Sequence, residues 1–363
     1  MPARTDAWRF EWCRSWADVW SNRVLERWQR AFDVASAPHV YHRLDLVRCW
    51  SETRGVATGA EAHVGIATSA AGAQVVLPWV VSKHRGRLTV RRTLEPVGAD
   101  FFGYHTPLLA GVEPQQIDWP GFWDAARASV AGACDQGMFR LVEPEYAARP
   151  GMRLASEESP VLSLEGCDDL EAVLARCTSS HRVDVNRQLR RAREHGDVSL
   201  WTAGHDDAAE VLRSVQQELW PAYRAVWQGR PVENLLFSSG AAEFVERVVN
   251  VGVPQGWAHY SVLRIGTSPV AWHLGFIDSG RLYYWIPTHD MAWSKFSPGK
   301  LLLAELIARG CREGWREIHF LTGDQSYKRA WHPTPRTLTA VTWTAPTVRG
   351  QLMAWYDARS HAQ

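Results

Sequence analysis

Apolar residues recur along the chain with two periodicities, which predict alternating groups of helices and strands. Near the start, apolar residues three or four apart predict an amphipathic helix over residues 15–32. A second helix is expected to end at Gly55, because glycine tolerates the left-handed conformation that closes a helix. Alternation of apolar and polar residues then predicts an antiparallel meander over residues 61–68, 74–81 and 87–95.

The second half of the chain repeats the order of elements in the first half. In the first half, the meander is followed by a helix over residues 119–136, then Gly137 and a strand over 138–142. The corresponding elements of the second half are strands over 257–265, 269–277 and 281–287, a helix over 298–312, Gly314 and a strand over 317–321. This repeat indicates internal duplication of one domain.

Residues 147–160 are rich in Pro, Gly, Ser and Glu, a composition typical of a linker. We place the domain boundary there, so that residues 1–150 form one domain and residues 151–363 form another. A length of 363 residues agrees with two domains. The expected fold class is α/β, in the α+β sense, with a mixed, mainly antiparallel sheet flanked by helices in each domain.

Composition and charge exclude several classes of protein. Forty Lys and Arg balance 39 Asp and Glu, so no overall field attracts nucleic acid or anionic lipid. No apolar run approaches the ~20 residues of a membrane span, and acidic residues interrupt the first thirty positions. We therefore expect a cytoplasmic protein without a membrane partner. The six cysteines lack metal-ligand spacing, so no metal is expected.

The strongest local motif opens the helix that follows the second meander. Ser297 is expected to cap the first amides, and Pro298 suits the first helical position because its missing N–H is not needed there. Gly299 gives a ligand access to the backbone, and the positive end of the helix attracts a pyrophosphate. We assign donor binding to Phe296, Ser297, Pro298, Gly299 and Lys300. The alternative is an ordinary capped helix.

A second motif follows the next strand, which runs into a short polar and basic segment. Polar groups at the carboxyl end of a strand commonly line a crevice. Tyr327 has the chemistry to protonate a departing thiolate, and Lys328 to bind phosphate or stabilise an oxyanion. The alternative is a simple turn at Gly323 and Asp324, followed by a solvated lysine.

Together, S-P-G-K and F-L-x-G-D-x-x-Y-K-x-x-W resemble the GNAT-fold acyltransferases of the CelD/BcsL type, over about residues 180–331. In that family the first motif opens the helix after the central strand, and the second closes the domain. The two-domain layout is similar to that of FemAB-type transferases, which carry two GNAT-like domains in tandem. Residues 1–150 lack both motifs, so we expect them to form a degenerate GNAT-like domain.

The resemblance implies transfer of an acyl group from acyl-CoA to a small-molecule amine. Asp324 would orient the acceptor or Lys328. His273 would act as general base, a role that the unperturbed histidine pKa near 6.5 suits, or else serve as a structural histidine. The implied catalytic residues are Lys328, Tyr327, Asp324 and His273, and the implied substrate-binding residues are Tyr284, Trp285, Asp290 and Gly323.

Because of the clustered arginines between residues 180 and 195, the sequence does not decide which molecule donates the acyl group. Their spacing places Arg187, Arg190 and Arg191 on one side of a helix, either as a solvated face or as a phosphate-binding one. A basic face agrees with a FemAB-like transferase that uses aminoacyl-tRNA as donor. A third hypothesis is a catalytically silent binding protein whose 20 tryptophans form an interface. The sequence does not define the oligomeric state.

Overall fold

The strands of the protein assemble into mixed sheets within two separate units. The computed structural model describes residues 7–85, 89–147, 157–229, 234–323 and 325–360. The first unit comprises Met1–Glu157, Leu235–Phe244 and Thr337–Gln363, and the second comprises Glu158–Asn234 and Val245–Arg336. The predicted boundary at residue 150 falls outside the described residues.

The strands, in chain order, are β1 (Arg9–Cys13), β2 (Glu61–Ala62), β3 (Val64–Thr68), β4 (Gln74–Leu77), β5 (Trp79–Arg85), β6 (Val90–Pro96), β7 (Leu108–Ala110), β8 (Gln136–Val142), β9 (Glu157–Glu158), β10 (Val161–Ser163), β11 (Val198–Thr202), β12 (Ala258–Ile265), β13 (Ser268–Asp278), β14 (Arg281–His289), β15 (Glu317–His319) and β16 (Thr337–Thr344).

The α-helices are α1 (Trp16–Val19), α2 (Asn22–Val34), α3 (Leu44–Trp50), α4 (Val56–Thr58), α5 (Trp119–Ser129), α6 (Leu170–Ala175), α7 (Ser179–Arg193), α8 (Ala208–Ser214), α9 (Trp220–Trp227), α10 (Ala241–Gly252), α11 (Pro298–Glu313), α12 (Ser326–Arg329) and α13 (Val348–Ser360). Two π-helical turns, Ser51–Gly55 and Val215–Leu219, join α3 to α4 and α8 to α9.

The sheet of the second unit has the strand order β10-β15-β14-β13-β12-β11. Its pairs are antiparallel except β14 with β15, which run parallel. Helices α6, α7 and α11 pack with this sheet around an aliphatic core. The prediction of a mixed, mainly antiparallel sheet flanked by helices is therefore confirmed.

Helix α11 is the longest helix of the second unit, and its boundaries follow from its sequence. Pro298 occupies the first turn, and Gly314 closes the helix in the left-handed conformation at φ 71°. Leu301, Leu302 and Leu306 are fully buried against the sheet. Burial of each such side chain contributes about 1.5–3 kcal/mol, so the helix is firmly held.

The first unit contains two sheets and a tryptophan-rich core. One sheet has the order β1-β3-β4-β7, and the other includes β2-β5-β6-β8-β16. The ring centroids of Trp79 and Phe139 lie 4.5 Å apart, and those of Phe139 and Trp343 lie 4.9 Å apart. A Cβ on Gly137 would lie 2.3 Å from the indole of Trp343, so only glycine fits at this point of β8.

Strand β16 changes the domain assignment drawn from the sequence. Strand β16 was not expected from the sequence, and residues 337–363 were expected in the second domain. In the structure β16 pairs antiparallel with β8, from Thr344 opposite Gln136 to Thr339 opposite Val142. The C-terminal segment thus belongs to the first unit because long-range pairing, which leaves no local sequence signal, recruits it.

Several predicted boundaries were wrong. The helix expected over residues 15–32 is divided between α1 and α2, and α5 ends at Ser129 rather than at 136. Gly55 does not close a helix; it lies inside a π-helical turn, and the left-handed cap is Gly59 at φ 67°. Pro78 divides the strand expected over 74–81, because proline cannot donate a ladder hydrogen bond.

None of the helices in the part of the chain that the structure describes is both long and apolar enough to cross a bilayer.

Candidate functional site

The candidate site lies where two parallel strands separate. Strands β14 and β15 pair only from Arg281 opposite Glu317 to Tyr283 opposite His319. Strand β14 then continues to His289, whereas β15 ends and the chain turns at Leu321, which has a φ of 58°. No ladder joins the two strands beyond Tyr283 among the described residues, so the strands diverge there, and we call the space between their ends the crevice. The carboxyl ends of parallel strands are a common location for ligands.

Strand β14 has a bulge beside this crevice. Leu274 pairs with Ile286 and Phe276 pairs with Tyr283, so that Gly275 alone faces two residues of β14. A Cβ on Gly275 would lie 2.2 Å from the carbonyl oxygen of Tyr283, which explains the glycine. Bulges of this kind re-aim side chains near functional sites.

Lys328 lies at the end of the crevice, on α12. Its side chain is buried, with 4% exposed, and Nζ donates to the carbonyl oxygens of Thr322 at 3.0 Å and Gly323 at 3.4 Å. Burial lowers the pKa of Lys328 to about 8. The alternative of a solvated lysine is therefore wrong. Gly323 has a φ of 112°, a conformation that other residues rarely adopt.

Of the other predicted residues in this segment, Asp324 lies outside the described residues. The side chain of Tyr327 is partly exposed. Partial burial of its hydroxyl nevertheless raises the pKa of that group. The phenol is therefore protonated at neutral pH and is able to donate a proton. Burial, together with the nearby Tyr327, also raises the pKa of Tyr284 well above its usual value.

His273 is wholly buried on the face of the sheet covered by α11. Its ring stacks on that of Tyr284, with centroids 4.7 Å apart, and it has no hydrogen-bond partner among the described residues. Burial, and then the nearby His259, lower the pKa of His273 well below 6.5. The imidazole is therefore neutral at physiological pH.

The start of α11 differs from the predicted cap. Ser297 adopts a left-handed conformation at φ 54°, ends the 3-10 helix Met291–Phe296 and makes no side-chain capping bond. Its carbonyl oxygen instead accepts from the amides of Lys300 at 2.9 Å and Leu301 at 3.2 Å. Nothing described crowds Gly299, since the nearest atom to an added Cβ is Nδ1 of His289 at 3.8 Å.

Positive charge gathers beside this helix start. Two cations lie over the buried ring of Phe296: the guanidinium of Arg191 is 5.6 Å from the ring centroid, and Nζ of Lys295 is 4.9 Å from it. Lys300, one of the residues assigned to donor binding, forms an ion pair with Asp184, and hydrogen bonds from Lys300 and then Arg187 lower the pKa of Asp184 to about 2. Arg191 and Lys295 are therefore the better anion-binding groups.

Two residues expected to bind substrate lie away from Tyr284. The ring of Trp285 stacks on Phe276 with centroids 5.0 Å apart, on the face opposite His273. Asp290 caps the 3-10 helix that follows it, because its carboxylate accepts from the amide of Ala292 at 2.9 Å. The structure thus places Tyr284 near both His273 and Tyr327, which precedes Lys328 on α12, and places Trp285 on the opposite face of the sheet.

Sequence reasoning missed two polar residues on the same face as Trp285. Glu218 lies in the π-helical turn between α8 and α9, and Thr288 lies on the diverging part of β14. Residues 208–225 read as one continuous helix, so the sequence does not indicate that Glu218 is turned toward the sheet. No three His, Cys, Asp or Glu side chains among the described residues are grouped so as to hold a metal ion.

Comparisons with known proteins define the class. Residues 179–329 match the protein-family model described as an acetyltransferase (GNAT) domain. A search of curated proteins found no match.

Two solved structures share the fold with low sequence identity. One is the C-terminal domain of a protein assigned as a lysylphosphatidylglycerol synthetase from Agrobacterium fabrum, with 14% identity, coverage of 92% of this chain and 96% of that chain, and a TM-score of 0.55.

The other structure is that of FemX, with 10% identity, coverage of 87% of this chain and 95% of that chain, and a TM-score of 0.56. At such identities the likeness concerns the fold alone. The matched domain covers the whole of the crevice, from α7 to α12. The match identifies a GNAT-type acetyltransferase domain over residues 179–329, and it supports an acyltransferase rather than a catalytically silent binding protein.

Proposed function

We propose that the second unit transfers an acyl group from acyl-CoA to a small-molecule amine, as an enzyme of the CelD/BcsL type. The observation that carries this proposal is Lys328, a buried ammonium group at the end of the crevice whose partners among the described residues are two carbonyl oxygens. A positive charge so placed stabilises the negative oxygen that develops when an amine attacks a thioester.

The remaining groups suit the other parts of the reaction. The positive N-terminal end of α11, with Arg191 and Lys295 beside it, attracts the pyrophosphate of the donor. The attacking nitrogen forms a C–N bond as the C–S bond breaks. Tyr327 gives its proton to the departing thiolate and regains the proton that the nitrogen releases. Tyr284 and the neutral His273 form the rigid wall behind these groups.

One observation favours a second donor, aminoacyl-tRNA. The arginine side chains of α7 are largely exposed, so that the helix offers a basic strip to a polyanion. The exposed residues are Arg182, Arg187, Arg190 and Arg193. A FemAB-like transferase would use this strip for the acceptor stem of tRNA and would form a peptide bond with the same crevice.

Thermal unfolding in the presence of each donor separates the two proposals. A ligand at 100 times its dissociation constant stabilises the native protein by ~2.7 kcal/mol. We expect CoA and acetyl-CoA to raise the Tm and bulk tRNA to leave it unchanged. Stabilisation by tRNA alone supports the second donor, and no stabilisation by either contradicts both.

Two variants test whether CoA stabilises the protein by binding at the start of α11. Arg191→Met is expected to weaken stabilisation by CoA, because it removes a cation beside the start of α11. Arg23→Met, which removes an exposed arginine of the first unit, is the matched control and is expected to bind CoA as the parent does.

A further inference from the structure

Glu218 is anchored to the sheet through only one of its two carboxylate oxygens. Its Oε2 accepts hydrogen bonds from the indole Nε1 of Trp272 at 2.9 Å and from the hydroxyl of Ser214 at 2.7 Å. The hydroxyl of Tyr260 lies 2.8 Å from that of Ser214 and completes the chain by donating to it. Three neutral side chains therefore fix the orientation of this carboxylate.

The other oxygen, Oε1, has no hydrogen-bond partner among the described residues, and no described Lys, Arg or His forms an ion pair with Glu218. The side chain is only partly exposed. Asp184 of the same unit shows the usual arrangement, because both Lys300 and Arg187 neutralise it. A half-buried carboxylate with one oriented but unused oxygen attracts a cation.

The π-helical turn explains how Glu218 reaches this position. Val215 and Leu219, at the ends of the turn, are fully buried, whereas Glu218 is turned toward Trp272. Such turns insert one residue into a helix and are frequent at functional sites. Helix α9, which follows directly, packs against β14 and against the 3-10 helix that leads into α11.

Thr288 places Glu218 beside the crevice. Trp272 and Thr288 are direct partners across β13 and β14, so their side chains lie on the same face of the sheet. Thr288 belongs to the part of β14 that has left β15, and its hydroxyl is buried without a hydrogen-bond partner among the described residues. Two polar groups with unused hydrogen-bonding capacity thus flank one indole.

We infer that Glu218 and Thr288 bind the acceptor, and that the acceptor carries a positive charge at neutral pH. Glu218 Oε1 accepts from its ammonium group, and Thr288 provides a second hydrogen bond. The acceptor approaches from the face opposite α11, whereas the donor binds at the start of α11. That the bound cation is the acceptor rests on the proposed function, whereas the binding of a cation by Glu218 and Thr288 does not depend on it.

Binding of simple amines without any acyl donor tests the inference. The probes are cadaverine, spermidine and lysinamide, with pentane-1,5-diol as the uncharged counterpart of cadaverine, and the measurement is isothermal titration calorimetry. We expect at least one of the amines to bind the parent protein and the diol not to bind. Glu218→Gln keeps the acceptor for Trp272 but removes the charge, and it is expected to weaken amine binding about tenfold or more.

Two further variants complete the design. Thr288→Val is expected to weaken amine binding by a smaller factor of about three, because only one neutral hydrogen bond is lost. Glu210→Gln, an exposed carboxylate of α8, is the control and is expected to bind like the parent.

The inference is overturned if none of the three amines binds the parent, if the diol binds equally well, or if Glu218→Gln binds the amines as the parent does. Failure of the proposed function gives a different result. In that case CoA and tRNA do not stabilise the protein, while amine binding and its loss in Glu218→Gln persist.

Discussion

The two units contain a similar pair of parallel strands but use the space beside it in opposite ways. In the first unit β6 and β8 pair parallel only from Thr93 opposite Gln136 to Leu94 opposite Gly137, a ladder one residue pair shorter than that of β14 and β15 in the second. There the indole of Trp343 covers Gly137 and packs against Phe139. The first unit thus fills this region with aromatic core, whereas the second leaves a crevice.

The two units also differ in the partners of their buried charged side chains. Asp135 of the first unit is 1% exposed and accepts from Arg92 and Arg349, with the closest contact 2.8 Å from Nε of Arg349. Lys328 and Glu218 of the second unit are held by carbonyl oxygens and neutral donors instead. A buried charge matched by opposite charges supports the fold, whereas one held by neutral groups is available to a ligand. This difference is consistent with a first unit that has lost its own site.

The largest effect is expected from Asp135→Ala in the first unit. The substitution leaves Arg92 and Arg349 without their common carboxylate and is expected to lower the free energy of unfolding by about 3 kcal/mol. Acyl transfer per folded molecule should not change. Urea denaturation followed by tryptophan fluorescence measures the loss of stability.

Glu61→Ala is the control for this variant, because Glu61 pairs with Lys83 on the surface. An exposed pair contributes less than about 1 kcal/mol, so the control should denature nearly as the parent does. If both variants lose the same free energy of unfolding, the buried ion pairs of Asp135 stabilise the first unit no more than an exposed pair does.

The second prediction concerns Lys328→Met. Loss of the ammonium is expected to lower kcat about 100-fold, as removal of one oxyanion donor does in other enzymes. Stability should be unchanged or higher, since burial of the charged amine lowers the pKa of Lys328 from its usual 10.5 to about 8. Release of free thiol from the donor measures the rate, and thermal unfolding measures the stability.

The pH dependence provides an independent check on Lys328. If the charged form acts, the parent's kcat/KM falls as pH rises above about 8, and Lys328→Met shows no such decline. The stability changes in the other direction. Between about pH 8 and 10.5 the unfolded chain binds a proton that native Lys328 has lost, so native stability rises with pH. A parent rate that is flat through pH 9 contradicts the assigned role.

The smallest effect is expected from Lys300→Met. Its ion pair with Asp184 is partly exposed, so the free energy of unfolding should fall by about 1 kcal/mol or less. Because Asp184 already neutralises this ammonium, stabilisation by CoA should be weakened far less than in Arg191→Met. A loss of CoA binding as large as that of Arg191→Met would restore the phosphate-binding role assigned from the sequence.

Prediction from sequence succeeded where the signal is local. Strands β12, β13 and β14 and helix α11 lie within two residues of their expected bounds, because alternation and turn residues mark them directly. The segment from Gly323 to Lys328 was recognised as a candidate site from residue types alone. The side-chain cap expected from Ser297 was wrong, because Ser297 adopts a left-handed backbone conformation, and the donor-binding role of Lys300 stays a prediction.

By itself, the sequence determined the succession of strands and helices, the duplicated order of elements and the acyltransferase motifs, since each of these is a pattern among residues close along the chain. Only the tertiary structure decided that β16 pairs with β8, that Lys328 is buried, and that Glu218 meets Trp272 across 54 positions of sequence. Burial and the choice of a hydrogen-bond partner arise when distant segments pack together. The orientation of the two acceptor-facing groups is therefore a property of the folded sheet.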